Sequence, residues 1–236
     1  MLNLLKRKSV PVFVLIAASS LFAQPPKHTQ PKEVVEAYRV CRQFQQLMAE
    51  NLDFDRAFEA TFTKNAARRR EIAITEGEFG NVDLSSVDEA TLVSAFKARM
   101  QILYLMLPLA SPDDKAEEEL FFPPAIKTIF ERKPPTATAD FRAYAMQVKE
   151  DANKFRAHLD QLASRYPHVA ERVRKFKSDL AREITPPDHV VKPLTAYSRG
   201  RVLALDEKYY QIGDYAVIRE GKTMRIIGIR FFSRLF

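Results

Sequence analysis

The chain has 236 residues and a mass of 27.1 kDa, with 46% hydrophobic and 28% charged residues. That balance fits a globular chain of one large or two modest domains and excludes collagen-like or wholly disordered composition. The formal charge is +7, but the sequence holds a single cysteine and only six glycines. An internal disulfide, a zinc centre built around cysteine pairs and a glycine-rich phosphate loop are therefore all excluded.

Residues 1–23 read as a secretory signal. Lys6, Arg7 and Lys8 form a basic start, Val10 to Phe22 an apolar stretch, and Ala23 a cleavage point before Gln24-Pro25-Pro26. An uncleaved anchor is the alternative, although the apolar run is short for a bilayer span, and no cysteine follows it for lipid attachment. Residues 1–23 hold three basic and no acidic residues, so the mature chain keeps 34 basic against 30 acidic residues, a net +4. Export and this smaller charge argue against nucleic acid as a partner. Residues 24–31 read as a polar, proline-rich tether.

A helical body is expected over 32–189. The first helix is predicted over 32–51, with Val34, Ala37, Tyr38, Cys41, Phe44 and Met48 on one face. Asp53 is expected to cap a second helix carrying Phe54, Phe58 and Phe62 and continuing through Arg68, Arg69 and Arg70, read as solvent-facing, towards Ile74. The run Asp53-Phe54-Asp55-Arg56-Ala57-Phe58 after that first helix resembles the opening of the NTF2-like cone fold. The long helices that follow depart from that fold, so neither its pocket nor its activity is carried over.

Gly77 and Gly80 mark a loop. Ser86 and Glu89 form a capping-box pattern opening a helix through Leu92, Phe96, Met100, Leu103 and Leu107, with its end at 102–107 buried. Ser111-Pro112 is expected to start another helix, broken by Pro123-Pro124, and a short helix through Ile126 and Ile129 ends at Pro134-Pro135. A heptad stripe follows: Phe141, Ala145, Val148, Ala152, Phe155, Leu159, Leu162 and Tyr166. After Pro167 it resumes as Val169, Val173, Phe176 and Leu180, which predicts a long antiparallel helical hairpin packed on the chain's own core.

Residues 190–236 change character. They hold four of the six glycines, and nine basic residues against four acidic ones. Strands are predicted over 201–205, 209–212, 215–219 and 223–232, with a tight turn at Glu220-Gly221-Lys222. The last is apolar on both faces and is expected to be central or covered on both sides, with Gly228 at a bulge or close contact. The fold class expected is α+β, mostly α: a multi-helix body with a small C-terminal antiparallel sheet packed on it.

Catalytic signatures are absent: the sequence has no H-E-x-x-H, G-x-S-x-G, Walker A or C-x-x-C pattern. No catalytic residue, metal or cofactor is assigned. Cys41 lies on an apolar helix face and reads as a buried, inert thiol. His28, His158, His168 and His189 show no helical metal-ligand spacing. Glu76, Glu78, Asp83, Asp88 and Glu89, and the Glu117-Glu118-Glu119 run, read as loop and helix-terminal charge.

The candidate contact surface lies in the C-terminal module. Arg199, Arg201, Arg219, Arg225 and Arg230 are interleaved with Tyr209, Tyr210 and Tyr215, a pairing of anion-binding forks with flat amphipathic rings. The expectation is an exported, secreted or periplasmic, binding protein without catalysis, contacting an envelope protein or an anionic envelope component. The alternatives are an exported hydrolase using Glu76 or Glu78, and a structural protein forming homo-oligomers through the heptad stripe.

Overall fold

The computed structural model describes residues 31–80, 82–182 and 209–229. Among them are eight α-helices followed by a three-stranded antiparallel sheet in the order β1-β2-β3, a mostly-α α+β fold. The expected signal, the expected strand at 201–205, and Arg199, Arg201, Arg230, His28 and His189 lie outside the described residues.

Helix α1 runs Lys32–Asn51 and buries Val34, Ala37, Val40, Cys41, Phe44 and Met48 as one stripe. It closes at Leu52, which takes the left-handed conformation that lets its N–H reach the Met48 carbonyl at 2.7 Å. Asp53 then caps α2, Phe54–Thr61, by accepting from the Arg56 N–H at 3.0 Å.

The helix expected to continue from α2 is instead two helices. The chain turns extended at Phe62, and the Thr63 N–H donates to the Ile226 carbonyl at 3.0 Å, so a single parallel bridge joins Phe62 to the sheet. Asn65 restarts the helix as α3, Ala66–Glu76, by accepting from the Arg68 N–H. Arg68, Arg69 and Arg70 are also not merely solvent-facing. Arg68 reaches Glu220, Arg69 forks onto Glu59 and meets Glu89, and Arg70 donates to the Leu84, Ser85 and Val87 carbonyls.

Helix α4, Glu89–Met106, is capped by Asp88 rather than Ser86, with Asp88 accepting from the Thr91 N–H at 2.8 Å. Leu103 and Leu107 are only half-buried, while Tyr104 and Leu105 carry that end into the core. With the 3-10 turn Leu107–Leu109, α4 is long and apolar enough to cross a membrane, yet 56% of its apolar window is buried inside the fold. Helix α5, Lys115–Phe121, starts later than Ser111-Pro112 because Asp114 provides the cap, accepting from the Glu117 N–H. Helix α6, Pro124–Glu131, opens on proline, which costs nothing where the N–H has no intrahelical partner.

Helices α7, Phe141–Arg165, and α8, Pro167–Ala181, form the hairpin, turning at the extended Tyr166. All of the α7 stripe from Phe141 to Leu162 is buried within the chain, whereas α8 buries only Val169 fully. The stripe spans two cores. Its first half joins α1–α4 and the sheet; its second half, from Phe155, joins Leu105, Leu109, Phe121, Ile126 and Ile129.

Strands β1, Tyr209–Ile212, and β2, Tyr215–Glu220, are joined by a turn with Gly213 at positive φ. Strand β3, Thr223–Ile229, follows a turn with Gly221 at φ +58°, a value that disfavours any side chain even though open space surrounds the position. β2, not β3, is the central strand; β3 is an edge that is nevertheless buried along most of its length. Its irregularity falls at Gly228: Ala216 pairs with Gly228 but Val217 with Ile226, leaving Ile227 as the extra residue. One sheet face rests on α1, where Tyr215 meets Phe44 edge-on at 5.8 Å and the Tyr210 hydroxyl donates to Glu33.

A candidate binding groove between helix α1 and the last hairpin

The structure separates the expected contact residues. Tyr209 is 1% exposed and Tyr210 8% exposed, so neither ring offers a face to a partner. Tyr215 lies against the core, and burial raises its hydroxyl pKa well above the ordinary value. Burial, reinforced by Glu33, pushes Tyr210 up to about 12. These tyrosines are packing residues because both faces of a strand can be covered when a helix lies on one side and other chain on the other.

Arg219 and Arg225 each have an internal partner on a different helix. Arg219 donates to Glu36 of α1 at 2.7 Å, and that bond holds the Glu36 carboxyl below its ordinary value. Arg225 donates to the Ala60 carbonyl at the end of α2 at 2.6 Å. Beside Arg225 and the Glu36 carboxylate opens a groove of about 450 Å³. Glu36, Arg39 and Gln43 of α1 form one wall; Lys222, Thr223, Met224 and Arg225 of the β2–β3 hairpin form the other, with Ala60 and Val40 at the base.

Three cations face one carboxylate in this groove, and that carboxylate is already bonded to Arg219. Arg39 and Lys222 are exposed, and among the described residues neither has a hydrogen-bond or ion-pair partner. That distinguishes them from most basic side chains of the body. Arg42 closes the end of α8 on the Ala181 and Arg182 carbonyls, while Arg156 and Lys177 bind the carbonyls that end α1. Sequence reasoning missed Arg39 and Lys222. One is an unremarked polar-face residue of a helix and the other a turn residue; only the packing of hairpin on helix makes them neighbours.

The hairpin is fixed in place by Glu220. Its carboxylate accepts from the buried Thr63 hydroxyl, from the Lys64 N–H at 3.1 Å and from Arg68 at 3.4 Å. Glu220 therefore ties the α2–α3 corner to the hairpin that forms one groove wall.

Other clusters are accounted for by internal bonds. Glu59 lies under Arg69, Lys97 and Lys64, and the Arg69 fork holds its carboxyl well below the ordinary range. Asp83 and Asp88 accept from the backbone of Ser85 and Thr91. Glu78 is exposed beside Arg99, and none of the loop carboxylates lines the groove. His158 bonds the Phe121 carbonyl and His168 meets Glu117. Cys41 is buried, and burial pushes its thiol up. Among the described residues no group of histidine, cysteine and acidic side chains is arranged to hold a metal.

No family model matches the chain, and no curated protein or solved structure matches it.

Proposed function

We propose that this is an exported binding protein without catalysis, and that its contact surface is the groove between α1 and the β2–β3 hairpin. Its partner is an envelope protein or another anionic envelope component. The observation that carries this reading is the convergence of Arg39, Lys222 and Arg225 from separate elements on one open groove whose single carboxylate is already neutralised. Two of those cations, Arg39 and Lys222, have no hydrogen-bond or ion-pair partner among the described residues, although Arg39 helps hold the Glu36 carboxyl down, and exposed cations at a concave surface attract and orient anionic groups. The export reading rests on residues 1–23.

The test is cross-linked capture from a native envelope, using mature protein from Gln24 onward and an Arg39→Glu/Lys222→Glu variant. Both substitutions are on exposed side chains without hydrogen-bond or ion-pair partners among the described residues, so the fold should persist, as circular dichroism would verify. A partner held by the first protein and released by the second supports the reading. A partner held equally by both refutes the groove.

A further inference from the structure

The outer face of α7 carries charged, amide and small side chains, with one exception. Met146 is 66% exposed and belongs to neither core. Of the other described methionines, Met48, Met100 and Met224 are at most 6% exposed, and Met106 is half-buried against the second core. Met146 buries little area, so packing gives no reason for an apolar side chain at this position. What it presents to solvent is a thioether sulfur. Cys41, the chain's only thiol, is buried, and burial keeps it protonated, so it does not compete for solvent-borne reagents. Arg142 and Lys149 stand one helical turn before and after Met146, at i−4 and i+3, on the same face. Both are exposed, and among the described residues neither has a hydrogen-bond or ion-pair partner, although Arg142 helps hold the Asp88 carboxyl down. The neighbouring Glu150 is engaged by Gln147 and Lys154.

We infer that Met146 is an oxidation site: a peroxide-class oxidant converts its thioether to the sulfoxide, and the flanking Arg142 and Lys149 hold the new oxygen. The sulfur lone pair attacks one peroxide oxygen, and the O–O bond breaks. Sulfur is oxidised by two electrons and gains that oxygen. The hydrogen on the transferred oxygen passes to the other oxygen, which leaves as water. The product is a polar group with a strong acceptor in place of an apolar one. Guanidinium and ammonium groups are donors only, so side chains one turn away on each side suit that acceptor. The same change at Met48 or Met100 would put an unpaired polar group into a core and disrupt it. At Met146 the buried stripe of α7 is untouched, so the fold survives the modification. Met146 does not line the groove, so this site is separate from the proposed contact surface.

The test exposes the full mature protein to limited hydrogen peroxide and follows each methionine by peptide mass analysis. Met146 should gain one oxygen about tenfold faster than Met48, Met100 and Met224, because susceptibility follows exposure. In urea the rates should converge. Met146→Leu should lose the fast phase and keep the slow ones. The singly oxidised wild type should keep its far-UV circular dichroism and melt within about 2 °C of the reduced protein, as a neutral surface change does. Arg142→Ala/Lys149→Ala should lose more melting temperature on oxidation than wild type does. That readout is the further drop on oxidation, so a small change in the reduced baseline does not affect it. First oxidation at a methionine other than Met146, or loss of helix on that first oxidation, would overturn the inference. An equal drop on oxidation in wild type and the double variant would overturn the holding role of Arg142 and Lys149, and with it the inference as stated.

Discussion

Removing the Glu220 carboxylate should loosen the hairpin that forms one wall of the groove, and the cost can be worked from its contacts. Thr63 is fully buried, so without Glu220 its hydroxyl proton finds neither a carboxylate nor water; such an orphaned donor costs about 1–3 kcal/mol. The Lys64 N–H is on an exposed residue and regains water at little cost. Arg68 and Glu220 each have a side chain less than one-fifth exposed, so losing that ion pair adds about 0.5–1 kcal/mol. Glu220→Ala should thus destabilise the protein by about 2–3 kcal/mol. Thr63→Val, which keeps the shape and removes the donor, should cost about 1 kcal/mol. Urea denaturation of both single variants and the double variant gives the coupling. Because the two side chains share one bond, the double variant should be less destabilised than the sum by about 1 kcal/mol. Strict additivity would mean that the Thr63–Glu220 bond does not tie the hairpin to the α2–α3 corner.

Phe54 is fully buried, with its ring against Phe44, Phe58, Phe62, Phe96 and Tyr104; Phe54→Ala should cost about 3–5 kcal/mol in urea denaturation, and a cost below about 1 would contradict that packing. Glu59 should make stability depend on pH. Its folded pKa lies below the ordinary 4.5, so its contribution is fully present above that value and is lost as pH falls through it towards the folded value. Glu59→Gln should therefore be less stable than wild type at neutral pH and show a flatter acid limb in thermal melts; parallel limbs would remove that assignment. Cys41 should resist thiol reagents in the folded protein and react only as the chain unfolds, since burial disfavours the thiolate; rapid labelling under native conditions would show an accessible helix face.

The parts of the fold written locally were legible. The α1 stripe, the Asp53 cap and the glycine turn after Glu220 each depend on residues a few positions apart, and each stands where its local chemistry puts it. The break between α2 and α3 was not legible, because it follows from Thr63 bonding to Ile226, far along the chain. The start of α4 was ambiguous in sequence: Ser86 and Asp88 are both good caps, and Glu89, the other half of the expected box, is drawn to Arg69 instead. β3 read as central because its apolar residues alternate on both faces, yet burial of two faces says nothing about the hydrogen-bonding edges. Of the expected contact residues, Arg225 lines the groove, and Arg219 reaches it only through its bond to Glu36. The tyrosines went inward because an amphipathic ring suits a covered strand as well as a binding face, and sequence alternation cannot tell the two apart.

The claim that Arg39 and Lys222 supply the anion-binding charges of the groove is tested most directly by an equilibrium titration of polyglutamate into wild type and Arg39→Glu/Lys222→Glu. Wild type should bind at low salt and weaken as salt screens the exposed charges. Reversing both charges should lower affinity by roughly tenfold or more. Indistinguishable affinities and salt slopes for the two proteins would contradict the account and remove the groove as the contact surface.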